Sequence, residues 1–161
     1  MIEIQYQDLN KNHQELLDKA ELVMVKSYNP YSHFSVGAAL RLATGDIITG
    51  TNYENAALGS TICAERAAIV SGNSQGFWQY EAIAIIARGK DFDTTEVTGP
   101  CGSCRQVLYE AAQISGQDLT CILSTTNKDK IILTSIEKLL PLGFGPKELG
   151  VDIELWRNKN G

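Results

Sequence analysis

Residues 63–70 read Cys-Ala-Glu-Arg-Ala-Ala-Ile-Val, and residues 80–87 read Tyr-Glu-Ala-Ile-Ala-Ile-Ile-Ala. The first stretch is rich in strong helix formers and predicts a helix that ends near Gly72. The second is an almost unbroken apolar run of strand length, which predicts a strand buried on both faces. A helix that leads into a doubly buried strand belongs to a layered α/β protein.

The flanking sequence agrees. Leu16, Leu17, Ala20, Val23, Met24 and Ser27 recur at steps of three and four, marking one helix face. Asn10 and Asn12 are candidate caps, and Asn29-Pro30 is the expected stop. Phe34 to Leu42 and Ile47 to Asn52, around Ala43-Thr44-Gly45-Asp46, predict a hairpin. Residues 92–99 read as a loop. A helix follows from about Gly102 to Ile114, closed by Gly116. Strands are expected at Leu119 to Ser124 and Ile131 to Thr134, with Asn127-Lys128-Asp129 as the turn. A short helix at Ile136 to Leu140 stops at Pro141, and the segment from Gly143 onward carries no clear pattern. Five strands with helices on both faces are therefore expected. No repeat, low-complexity stretch or linker divides the 161 residues, so a single domain over 1–161 is expected.

Charge narrows the function. Nineteen acidic against fourteen basic residues leave a net charge of -5, and no basic run occurs. That balance argues against a nucleic acid partner, because phosphate binding needs clustered Lys and Arg. The N-terminus has no basic segment followed by an apolar run, and no stretch reaches the roughly 18 apolar residues of a membrane span. A cytoplasmic protein with no membrane partner is expected. Structural disulfides are not expected there, so Cys63, Cys101, Cys104 and Cys121 need another explanation.

Cys101-Gly102-Ser103-Cys104 opens a predicted helix, and so does Cys63. Unpaired N–H groups and the positive end of the helix dipole favour thiolates at such positions. Catalytic zinc takes three protein ligands and keeps a fourth position for water. Cys101 and Cys104 can supply two ligands and Cys63 the third. Glu65, two residues after Cys63, then lies near the metal as a proton acceptor. Alone, a Cys-x-x-Cys is a redox pair, half of a structural zinc knuckle or coincidence; the Gly-Ser spacer and the separate Cys63-Ala64-Glu65 disfavour redox. A structural site would require a fourth ligand, and Cys121 sits in a strand pattern. His33 is the one rival ligand, and His13 lies on the polar part of the first helix.

The pattern Cys63-Ala64-Glu65 with Pro100-Cys101-x-x-Cys104 resembles the zinc deaminases of nucleobases, which pair a Glu with Pro-Cys-x-x-Cys. Tyr31 to Ala39, Asn52 to Ala56, Thr61 to Arg66 and Gly99 to Leu108 occur in the order seen in small, three-cysteine, homotetrameric cytidine deaminases. This resemblance implies a three-layer α/β/α sandwich with a five-stranded mixed sheet and bound Zn²⁺. It implies a hydrolase acting on the C–N bond of a cyclic amidine. The reaction would convert cytidine and deoxycytidine to uridine and deoxyuridine with release of ammonia, as in pyrimidine salvage. The alternative is a deaminase of the same scaffold acting on a blasticidin-like nucleoside or a modified cytosine.

The same resemblance assigns roles by position. Glu65 moves the protons. Asn52 and Glu54 hydrogen-bond the ribose 3′-hydroxyl, Phe34 flanks the pyrimidine, and the Ala64 backbone with Glu65 holds the base edge. Phe144 resembles an aromatic contributed across a subunit interface in a tetramer with shared active sites. Arg66 donates to the sulfurs; it would offset the net charge of about -1 carried by three thiolates and Zn²⁺. Leu58 stands on the sugar side where the family usually carries Tyr, and Tyr53 stands where a small aliphatic residue is usual. Substrate preference turns on those two positions.

Overall fold

The structure is a computed structural model that describes residues 1–160. Strand β1 (Ile2–Ile4) and helix α1 (Lys11–Met24) precede the hairpin β2 (Phe34–Leu42) and β3 (Ile47–Thr51). Helix α2 (Ala64–Ser74), strand β4 (Tyr80–Gly89) and helix α3 (Gly102–Ser115) follow. The chain continues through β5 (Thr120–Ser124), β6 (Ile131–Ser135), α4 (Ile136–Leu139) and α5 (Ile153–Asn160).

The sheet has six strands, in the order β1-β6-β5-β4-β2-β3, where five were expected. The addition is β1, antiparallel to β6 with Ile2 opposite Leu133 and Ile4 opposite Ile131. Three residues are too few to display an alternation, so the strand is specified by pairing to an edge rather than by its own pattern. The sheet is mixed: β4 and β5 run parallel, and the remaining neighbours are antiparallel.

Helices cover both faces because the central strand is apolar on both. Ala82, Ala84 and Ile86 of β4 pack with Leu16, Leu17, Ala20 and Met24 of α1. Ile83 and Ile85 point the other way, into a cluster with Ala68 of α2 and Leu108, Ala111 and Ala112 of α3. This is the period-two alternation of a strand, read on two cores at once.

Asn10 caps α1, its side chain accepting the His13 N–H at 2.8 Å. The helix stops at Met24, short of Asn29-Pro30. Ser27 Oγ donates to the Met24 and Val36 carbonyls, and Tyr28 is taken up in a bridge to Tyr53. The other addition is α5, beyond Gly143. It is held by tertiary contact, with Trp156 meeting Trp78 edge-on at 5.1 Å. Among the described residues no helix is long and apolar enough to cross a membrane.

One close approach places the start of α2. A Cβ on Gly50 of β3 would stand 2.5 Å from both the Ala64 carbonyl oxygen and the Ala68 nitrogen. Only a residue without a side chain lets α2 lie this near the sheet. Gly50→Ala is therefore expected to destabilise the fold by about 1–3 kcal/mol and to lower zinc retention, measured by denaturant unfolding and metal content.

Candidate active site

Cys63 is the N-cap residue of α2 and Cys101 the N-cap residue of α3, and neither side chain is engaged in capping. Cys104 is buried in the first turn of α3. The two helices pack against the same sheet face, so their N-termini converge. The three sulfurs all lie within 4.8 Å of one another, with Cys101 and Cys104 3.5 Å apart. A tetrahedral zinc with bonds near 2.3 Å would set its sulfurs about 3.8 Å apart, so the donor set fits the ion in number, spacing and softness.

Without a cation these thiols compete for protons. Hydrogen bonding from Cys104, then from Arg66 and Cys101, draws the Cys63 thiol down to about 5 against the opposing effect of burial. The Cys104 thiol moves the opposite way, through its hydrogen bond to Cys63 and its own burial. His33 is not among the converging groups; it is exposed, with φ of +54°. Cys121 is buried in β5, its sulfur 3.6 Å from the Leu119 carbonyl, so it is a packing residue.

Glu65 is only 4% exposed. Burial raises its carboxyl pKa, and the Cys63 charge adds to the effect; a bound cation would oppose both. Arg66 Nη2 donates to the Thr61 carbonyl at 2.9 Å and stands 3.9 Å from Cys63 Sγ. Burial works against the guanidinium charge, but the Cys63 and Cys104 sulfurs more than offset it and hold its pKa up.

The remaining predicted residues divide between buried and exposed positions. Asn52 is buried, donating to the Phe34 carbonyl at 2.9 Å and accepting the Val36 N–H at 2.8 Å. Glu54 is buried too. Its Oε2 accepts the N–H groups of Tyr31 and Ser32 at 2.9 and 3.1 Å, and hydrogen bonding, first from the Ser32 side chain, holds its pKa down. Both residues thus shape the turn that carries Phe34. Phe34 is half-buried and stacks on Phe92. Ala64 is fully buried at the start of α2. Leu58 is 68% exposed on a one-turn 3-10 helix, Leu58–Ser60, and Phe144 is 57% exposed. Gln106 of α3 donates to the Phe144 carbonyl at 2.7 Å. Asn52 and Glu54 thus act as turn residues, and their particular partners are backbone groups that no motif encodes.

Comparison with known proteins agrees with this geometry. Residues 10–116 match the family described as the cytidine and deoxycytidylate deaminase zinc-binding region. The cytidine deaminase of Sporosarcina psychrophila is 36% identical over 88% of this chain and 97% of its own. The blasticidin-S deaminase of Bacillus cereus is 31% identical over 81% of this chain and 90% of its own. The crystal structure of cytidine deaminase from Burkholderia pseudomallei superposes with a TM-score of 0.73 at 36% identity, covering 82% of this chain and 98% of that one. The chain belongs to the zinc-binding cytidine and deoxycytidylate deaminase family, and Cys63, Cys101 and Cys104 are placed to hold the metal.

Cys104→Ala is expected to reduce bound zinc from about one ion per chain to below about a tenth of that, measured by elemental analysis after dialysis. Cys121→Ala, outside the cluster, should keep its zinc.

Proposed function

We propose that the chain catalyses hydrolytic deamination of cytidine and deoxycytidine to uridine and deoxyuridine, releasing ammonia. The observation that carries this reading is Glu65, a buried carboxyl one residue into α2 and beside three converging sulfurs. A purely structural zinc site takes four protein ligands and has no use for a buried acid–base group.

Zinc, when bound, supplies an acidified water and Lewis-acid stabilisation of developing negative charge. The chain's own residues do the rest. Glu65 takes the first proton given up by water and delivers it to ring N3; it then takes the second proton, from the oxygen added at C4, and passes it to the amine, which leaves as ammonia while C4=O forms. Burial disfavours the charged form of Glu65 and so raises the carboxyl pKa. The Ala64 backbone and Glu65 orient the base edge, and Phe34 flanks the ring. Glu54, with one oxygen engaged by Tyr31 and Ser32, offers the other to the ribose 3′-hydroxyl, and Asn52 stands beside it. Arg66 withdraws charge from Cys63 and so sharpens the metal's acidity. The exposed Phe144 reaches a neighbouring subunit's site in a cytoplasmic homotetramer, and Leu58 lines the sugar side.

A second reading has two observations in its favour. Similarity extends to a blasticidin-S deaminase, and the sugar side carries the aliphatic Leu58. Ammonia release from cytidine, deoxycytidine, cytosine and blasticidin S separates the two. Turnover of the first two is expected; turnover of blasticidin S alone would overturn the proposal. Glu65→Ala is expected to keep its zinc while kcat falls by about 10²–10⁴-fold, read by the absorbance change on deamination. Wild-type turnover in that variant would remove Glu65 from the mechanism.

A further inference from the structure

The loop between β4 and α3 carries an aromatic residue that no motif accounts for. The Phe92 ring lies 6.2 Å from that of Phe34, with the planes 26° apart. It is 61% exposed, so burial of apolar surface is not what holds it there. Hydrogen bonds on both flanks do so. The Gly89 N–H donates to the Phe92 carbonyl at 3.0 Å, and Lys90 N–H donates to the His33 carbonyl at 2.9 Å, tying this turn to the residue before Phe34. Arg88 and Asn127 each bind a carboxylate oxygen of Asp93 at 3.1 Å. Thr94 and Thr126 exchange backbone-to-hydroxyl bonds at 2.8 and 3.0 Å.

Gly89 makes the arrangement possible. A Cβ there would stand 2.2 Å from a ring carbon of Phe92. Gly89 is not among the glycines with positive φ, so its backbone does not demand glycine. The Phe92 ring does.

We infer that Phe92 is a positioning residue: it covers one face of Phe34 and fixes the ring so that its other face flanks the base. This rests on the proposed role of Phe34 as the pyrimidine wall. Phe92 does not touch the reacting atoms, so its effect belongs in substrate affinity rather than in the chemical step.

The test is steady-state kinetics on cytidine with the zinc-loaded full chain. Phe92→Ala is expected to raise KM about 3- to 10-fold, the range an aromatic pair commonly supports, with kcat held within about twofold. Zinc content should not change, and Phe92→Tyr should restore KM. Gly89→Ala, which displaces the ring, should raise KM alike on its own but add nothing in the Phe92→Ala background. A merely structural role would not give that non-additive, KM-confined pattern. An unchanged KM in Phe92→Ala, or additive effects of the two substitutions, overturns the inference and leaves the proposed activity standing. No turnover of cytidine by the wild-type chain overturns both.

Discussion

Three cysteine sulfurs within 4.8 Å of one another are the constraint on which the rest of this structure depends. Two unit negative charges about 4 Å apart repel by about 4 kcal/mol at the effective dielectric of a protein edge. Three thiolates cannot share that space without a cation. The Cys63 and Cys104 thiols move in opposite directions because one hydrogen bond links them, lowering the first and raising the second. To meet it, the fold aims two helix N-termini at one point, and each contributes positive dipole to the anions. That demands a flat, small-residue seat for α2, which Gly50 supplies, and a rigid sheet face beneath both helices. Glu65 is near the sulfurs because it is the second residue of a helix whose N-cap is Cys63.

A small backbone ladder joins the metal to the predicted sugar site. Tyr28 N–H donates to the Asn52 carbonyl, and the Glu54 N–H donates to the Tyr28 carbonyl. Tyr53 exchanges two backbone bonds with Ile62, the residue before Cys63. The Tyr28 and Tyr53 rings stack at 5.0 Å over this ladder. Residues 52–54 are therefore tied by backbone bonds to the segment that leads into Cys63. Cys101 and Cys104 arrive from a separate helix, and the packing of α2 and α3 registers the two.

Much of this was legible in the sequence, for physical reasons. β4 is apolar on both faces and long enough to be unmistakable as a central strand, and α3 ends at Gly116 in the left-handed conformation that such a cap requires. The convergence of Cys63, Cys101 and Cys104 was legible only because two motifs, Cys-Ala-Glu and Pro-Cys-x-x-Cys, occur together. β1 was not, since its identity lies in the edge of β6 rather than in its three residues. The end of α1 was misplaced because Pro30 is a strong stop, whereas the true stop is the capture of Tyr28 by residues 52–54. α5 was hidden because its partner, Trp78, is distant in the chain.

Asn52 and Glu54 show what shared duty does to a binding site. Each grips the backbone of the turn that carries Phe34, and in the proposed reading each also faces the ribose. Sugar recognition and base recognition are then mechanically one unit. Divergence toward a different sugar cannot begin at these two side chains without unseating the base wall, so the pair is closed to gradual change. The exposed turn at Leu58–Ser60 carries no such obligation. In the proposed reading it is the part of the sugar side that can be substituted without breaking those bonds.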